Sequence, residues 1–181
     1  MTLLNTQSRY GLVSRALHWI IVLAIVAQWL LAEADEDSGA VLGSGLDAMT
    51  LHQSIGLSVL MLAILRLAWR FLNPVPAWPD DMKRYEVAFA RVVHVAFYVL
   101  LFAIPLTGWA LSSAEGDSLR FFNGFEMPRI ALAGEETMEE VHEALFNVLL
   151  GLAALHVLGA AKHWIAGRSR RRDTNHMGAL R

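Results

Sequence analysis

The sequence contains no cysteine. This excludes disulfides, thiolate metal sites, iron–sulfur clusters and covalently attached c-type haem, which needs C-x-x-C-H. Charge is scarce as well: 18% of the 181 residues are charged and 55% are hydrophobic, with a mean hydropathy of +0.41, too apolar for an ordinary soluble domain of this length. There is no convincing internal repeat, and no linker is long enough to set off a second domain. Nucleic acid is not expected among the partners of such a chain.

What is present is four apolar segments, at about 16–32, 51–69, 92–111 and 141–165, each near the length a helix needs to span a bilayer. The polar stretches EADEDSGAVLGSG and NPVPAWPDDMKR follow the first and second, and a loop of nearly thirty residues follows the third. The expectation is an all-α integral membrane protein: a single domain over 1–181, built as a four-helix bundle, with 166–181 as a basic tail. Arg9 and Arg15 precede a run ending in Ala32-Glu33-Ala34, which has the small-x-small look of a signal-peptidase site. Three further spans and His18 inside the run argue against cleavage. With the N-terminus in the cytoplasm, thirteen of the fifteen Lys and Arg residues fall on the cytoplasmic side, and only Arg120 and Arg129 on the other. The positive-inside rule therefore puts both termini in the cytoplasm. Thirteen of the seventeen acids lie outside, so the outer surface is acidic.

Six of the seven histidines lie in or at the ends of these spans. In the fourth, His142, His156 and His163 are spaced by fourteen and seven residues, which at roughly 100° per residue sets them on nearly one stripe. The first two are about 21 Å apart along the axis, most of the thickness of a bilayer core. An ionisable side chain inside a span is a functional-site hypothesis by default. Matched by depth, His52 faces His142 on the outer side and His18 faces His156 on the inner side. Two such pairs are what two haems held by imidazoles would require. His94 competes with His18 as the inner partner, and depth does not separate them. Gly56, Gly108, Gly151 and Gly159 near these levels would give a porphyrin room, although small residues in membranes usually serve close helix packing.

The pattern resembles the prokaryotic cytochrome b561 proteins, four-helix di-haem membrane cytochromes, over nearly the whole chain. The resemblance rests on RALHWI at 15–20, LHQSIGLSVLMLAILRLAWR at 51–70, PLTGW and SSAEG within 94–116, FFNGFEMP at 121–128, and the H-x13-H of the fourth span followed by KHW. It implies two non-covalent haems b, with His18 and His156 as axial ligands of one and His52 and His142 of the other, and it demotes His94. It also implies a quinone site at His163, for which Lys162 is a further candidate, with ubiquinone as the ligand. Arg66 and Arg70, one turn apart, are candidates for contacts with haem propionates.

The function expected is transfer of single electrons across the inner membrane to or from the quinone pool. A soluble, basic redox partner at the acidic outer surface would complete the path. Two alternatives follow from the same resemblance: a superoxide:ubiquinone oxidoreductase, and a cytochrome b anchor subunit of a larger oxidoreductase. The superoxide reading calls for a positive outer surface to steer an anion, and two arginines against thirteen acids do not supply one. A histidine-lined metal transporter would bring carboxylates or cysteines into the spans, where there are almost none.

Overall fold

The computed structural model describes residues 2–33, 46–79, 82–130 and 132–178, with side chains described as far as 165. Ala34 of the small-x-small pattern, the acids at 35–37 and the arginine side chains of the basic tail lie outside that description. The chain forms α1 (Leu12–Ala32), α2 (Ala48–Leu72), α3 (Arg84–Ala114) and α4 (Glu135–Gly178), with two short strands, β1 (Arg120–Phe121) and β2 (Phe125–Glu126), between α3 and α4. All four helices are long and apolar enough to cross a membrane. Every helix outruns the apolar run legible in the sequence. Hydropathy marks only the part matched to hydrocarbon, while backbone bonding continues through flanks that charges interrupt, such as Arg84–Arg91 and Glu135–Glu140.

Leu23, Ile64, Val99 and Leu158 point away from the protein, as residues on a lipid-facing surface do. The interior core is small. It gathers Ile21, Val59, Ala63 and Leu101 from three helices, with Leu62 and Phe102 packed on it. Ala63 is fully buried, and its methyl group lets α1 and α3 approach α2 closely. Packing is sequential: α1 on α2, α2 on α3, α3 on α4. Thus α4 is held mainly along α3 and faces α1 and α2 across a looser seam.

Each end of the bundle is tied down by polar side chains. At the end carrying the start of α1, the N-terminal chain doubles back so that the Thr2 and Leu3 carbonyls accept from the Leu12 and Val13 amides, which would otherwise be orphans of the first turn. Buried Asn5 joins three elements there: its Oδ1 accepts from Gly11 N at 2.9 Å and Ser14 Oγ at 2.7 Å, and its Nδ2 donates to Pro74 O at 3.0 Å. Only glycine fits at position 11, because a Cβ would overlap the Leu3 carbonyl oxygen.

At the opposite end, α3 stops at Gly116, whose φ of +87° suits a residue without a Cβ. The chain then forms the hairpin, with Phe121 opposite Phe125 and Arg120 opposite Glu126. Phe122 and Asn123 at the turn take φ of 47° and 57°, and Gly124 N donates to Phe121 O at 3.0 Å. Ser54 pins this turn to α2: its fully buried hydroxyl donates to Thr50 O at 2.7 Å and accepts from Phe122 N at 2.9 Å. Trp109 Nε1 donates to Pro128 O at 2.9 Å and fastens the following loop to α3.

The cap of α2 gives a pH-dependent prediction. Asp47 Oδ1 accepts from Thr50 N at 2.6 Å, and that backbone hydrogen bond is the main reason its carboxyl is held below the usual range. A depressed carboxyl contributes stability above its unfolded pKa and loses it as pH falls through the folded one. Asp47→Ala is expected to cost about 0.5–2 kcal/mol at neutral pH. In thermal melts of the detergent-solubilised protein, the gap to wild type should narrow below about pH 4.

Candidate functional site

Histidines meet across the seam at two levels. At the hairpin end, His52 of α2 and His142 of α4 have ring centroids 6.4 Å apart with planes at 69°. At the end holding both termini, His18 of α1 and His156 of α4 have the same 6.4 Å separation, with planes at 74°. An imidazole nitrogen binds a first-row divalent metal at about 2.0 to 2.1 Å, so two such bonds plus the radius of each ring put opposed centroids about 6 Å apart. Both pairs meet that spacing.

At the hairpin level the protons can be assigned. His52 Nδ1 lies 3.2 Å from Gln28 O, and a carbonyl only accepts, so Nδ1 carries the hydrogen and Nε2 is left with its lone pair. Gln28 returns the bond, its Nε2 donating to His52 O at 2.8 Å. His142 Nδ1 lies 3.1 Å from Thr107 Oγ1. Both rings line a cavity of about 510 Å³ to which all four helices contribute, through Gln28, His52, Gly56, Gly108, His142 and Phe146 among others. Two glycines keep its walls back. A Cβ at Gly56 would come within 3.0 Å of Gln28 Nε2, and one at Gly108 within 3.0 Å of His142 Cε1. A Cβ at Gly151 or Gly159 would meet no atom within 4 Å, so protein packing does not require those two to be small. Gln28 Oε1 is buried without a partner among the described residues. Facing imidazoles, a largely apolar cavity and a glycine-lined approach fit a flat, bis-imidazole haem.

The level near the termini is built differently. His94 of α3 approaches His156 to 5.8 Å between ring centroids, nearer than His18 does, and its other side meets Trp78 at 6.1 Å. Phe97 stands edge-on to His156 at 5.5 Å. Arg66 lies close enough for its charge to act on His18 and His94, and Arg70 on His94. His163 is exposed at the edge of the bundle. Its neighbour Lys162 is engaged by Glu86, Nζ to Oε1 at 2.8 Å, while the other Glu86 oxygen accepts from Lys83 N at 3.0 Å at the start of α3. Among the described residues, no group of three or more His, Asp and Glu side chains is arranged to hold a bare metal ion.

The structure therefore brings together the histidines matched by depth, and it adds residues the sequence did not single out: Gln28, Thr107, Glu86 and Trp78. Glu86 could have been suspected from its position three residues after the helix-starting Lys83. Gln28 carried no such signal, since a lone Gln in a span is ordinary, and Thr107 lay within the PLTGW motif without a role of its own being legible.

A four-helix, multi-pass membrane protein with imidazole pairs facing across its interior has the architecture of a membrane cytochrome b. The chain matches prokaryotic cytochrome b561 over residues 9–172 and belongs to that family, which binds haem b and transfers electrons in the membrane. It is 31% identical over 166 residues to cytochrome b561 homolog 2 of Escherichia coli K12, covering 90% of this chain and 88% of that protein. It is 27% identical over 161 residues to the probable superoxide oxidase CybB of Yersinia pestis, covering 87% of this chain and 89% of that one. With cytochrome b561 homolog 1 of Escherichia coli K12 it shares 25% identity over 160 residues, 87% and 90% of the two chains.

The cavity rim is acidic. Glu33, Glu115 and Glu143 line it, with no Lys or Arg among the lining residues. Burial first, then the charges of Glu135, Asp117 and Glu139, push the Glu115 carboxyl above its ordinary range. A raised carboxyl costs stability as pH rises past the unfolded pKa, about 4.3, with the full cost reached above the folded one. Glu115→Gln is expected to raise the melting temperature at pH 7 and to leave it unchanged below about pH 4.

Proposed function

We propose that this protein is a di-haem b cytochrome that carries single electrons across the bacterial inner membrane, between the quinone pool at the end holding its termini and a redox partner at the hairpin end. The observation that carries this reading is the equal 6.4 Å separation of two histidine pairs at two depths. His52 and His142 are the ligands at the outer level, His18 and His156 at the inner. The distribution of basic residues, thirteen of fifteen on the side of the termini, supports the orientation.

Haem held between the imidazoles of His52 and His142, and of His18 and His156, would supply reversible one-electron exchange with little access for oxygen. The chain supplies the rest. Gln28 holds the proton of His52 on Nδ1 and so keeps Nε2 toward the cavity. His142 is held by α3 in the same sense, from the other side of the cavity. At the inner level, Arg66 and Arg70 would pair with propionate carboxylates, a role supported by their charges acting on His18 and His94. His163, exposed and seven residues beyond His156, is the group that exchanges protons with a quinone head group at the interface. Lys162 is a second contact there, fixed by Glu86.

A second reading, oxidation of superoxide at the outer level, is favoured by the name of the Yersinia pestis relative. The local field opposes it: an anion approaching the outer cavity meets three carboxylates and no basic lining residue. We favour transfer to or from a cationic partner.

Two measurements test this. Pyridine-haemochrome quantitation should find two haems per chain, falling to one in His142→Ala or His52→Ala; retention of two in either variant would reject the ligand assignment. Purified protein should be reduced by a quinol, and His163→Ala should slow that step. Reduction by superoxide should be slow and should quicken with added salt as the carboxylates are screened; a fast reaction that salt retards would favour the oxidase reading.

A further inference from the structure

The short run Pro105-Leu106-Thr107-Gly108-Trp109 is where α3 touches the outer site, although α3 offers no imidazole at that level. Two consecutive residues of this run form a seat for the ring of His142. Thr107 Oγ1 lies 2.9 Å from Ile104 O and 3.1 Å from His142 Nδ1. The hydroxyl has one hydrogen. Ile104 O can only accept, so it takes that hydrogen, and what Thr107 turns toward the histidine is a lone pair. His142 therefore donates from Nδ1–H, and its Nε2 is the nitrogen left for a metal. Gly108 stands against the same side of the ring: a Cβ there would lie 3.0 Å from Cε1 and 3.3 Å from Nδ1. Any larger residue would move the ring or the helix.

We infer that Thr107 is a positioning residue of the outer haem, fixing the tautomer and the orientation of His142 and setting how strongly that imidazole donates to iron, with Gly108 supplying the clearance that lets the ring sit there. This rests on His142 being an axial ligand. An acceptor on the remote N–H of a ligating histidine raises its basicity and fixes its orientation, and such partners matter nearly as much as the ligands. Here the hydroxyl is itself polarised by donating to Ile104 O, in a water-poor interior where linked hydrogen bonds strengthen one another. His52 Nδ1 thus meets a backbone carbonyl, while His142 meets the Thr107 hydroxyl with the Ile104 carbonyl beside it. Of these partners only the Thr107 hydroxyl can be removed by a substitution, which makes its share testable.

The test uses full-length, haem-loaded protein in detergent and compares Thr107→Val, which keeps the shape and removes the hydroxyl, with Thr107→Ser, which keeps the hydroxyl. Redox-titrated visible spectra and low-temperature EPR are recorded on each, with His142→Ala as the control for ligation. In Thr107→Val one of two redox components should shift to higher potential, because a less basic imidazole stabilises the oxidised iron less, and its low-spin EPR signal should move. Loss of the outer haem should also become easier, by roughly 10- to 100-fold in affinity. The other component should not move, and Thr107→Ser should stay close to wild type. Selective loss of the outer haem from Thr107→Val, with retention in Thr107→Ser, supports the same role. Unchanged potentials and EPR in Thr107→Val would overturn the inference, and so would an equal shift in Thr107→Ser, since the hydroxyl would then not be responsible. If Thr107→Val fails to accumulate, Gly108→Ala decides: it should displace the same EPR signal, and an unmoved signal overturns the seat. Two haems retained in His142→Ala would instead reject the ligand assignment itself, separately from these outcomes.

Discussion

The gap between α4 and the α1–α2 pair governs this structure. Membrane helices with small residues at their contacts usually close up on one another, because van der Waals contact is the main attraction left once lipid has removed the hydrophobic one. Here α1, α2 and α3 do so around Ala63, while α4 packs along α3 and stands off from the other two. The stand-off is of a particular size: at both levels the imidazoles that cross it leave 6.4 Å between centroids. A tighter seam would bring the rings into van der Waals contact, and a wider one would leave each facing lipid or water. The polar ties at the two ends keep the spacing. Asn5 joins the N-terminal chain, α1 and the loop after α2. Ser54 fixes the hairpin to α2, and Trp109 fixes the loop that leads into α4.

Much of this was legible in the sequence, for reasons that differ from residue to residue. Four apolar runs of spanning length announce four helices whatever their partners, because the bilayer imposes one length on all of them. The depth of His52 and His142 follows from counting residues from the ends of those runs, and an intramembrane histidine stands out against an apolar background. Helix boundaries were not legible to the residue, since Arg84–Arg91, interrupted by Arg84, Glu86 and Arg91, breaks the apolar run yet is helical. Nor was the company the histidines keep. Gln28 and Thr107 act through a main-chain carbonyl and a common hydroxyl, neither of which marks a sequence. The glycines divide in the same way: a Cβ at Gly56 or Gly108 would crowd a neighbouring side chain, one at Gly151 or Gly159 would not, and only coordinates tell them apart. Lys162 reads from sequence as a candidate for a quinone site, and nothing there marks its pairing with Glu86 from the start of another helix.

The two levels differ in how their rings are held, and the difference bears on how each would work. At the hairpin level each imidazole has its Nδ1 within hydrogen-bond reach of an acceptor on a neighbouring helix, so tautomer and ring plane are fixed together. At the other level the contacts around His156 are aromatic: Phe97 edge-on, His18 on one helix and His94 on another. Ring-edge contacts constrain position more than rotation, because a ring quadrupole is satisfied over a range of tilts. The presence of His94 at 5.8 Å also means that two helices, α1 and α3, can each offer His156 a partner. The hairpin level is thus a site of fixed geometry, and the level near the termini is one in which side chains can adjust.

That division matches the charges around each level. The hairpin level opens to Glu33, Glu115 and Glu143 with no basic group among the lining residues, and the other level is flanked by Arg66, Arg70 and Lys162. A cofactor bearing carboxylates is stabilised by the arginines at one end and opposed by the glutamates at the other. Negative charge near an iron favours its oxidised, more positive state, and positive charge favours the reduced one. The two levels therefore present opposite fields to any group seated between their imidazoles, and an anion is repelled at the hairpin level and drawn to the other.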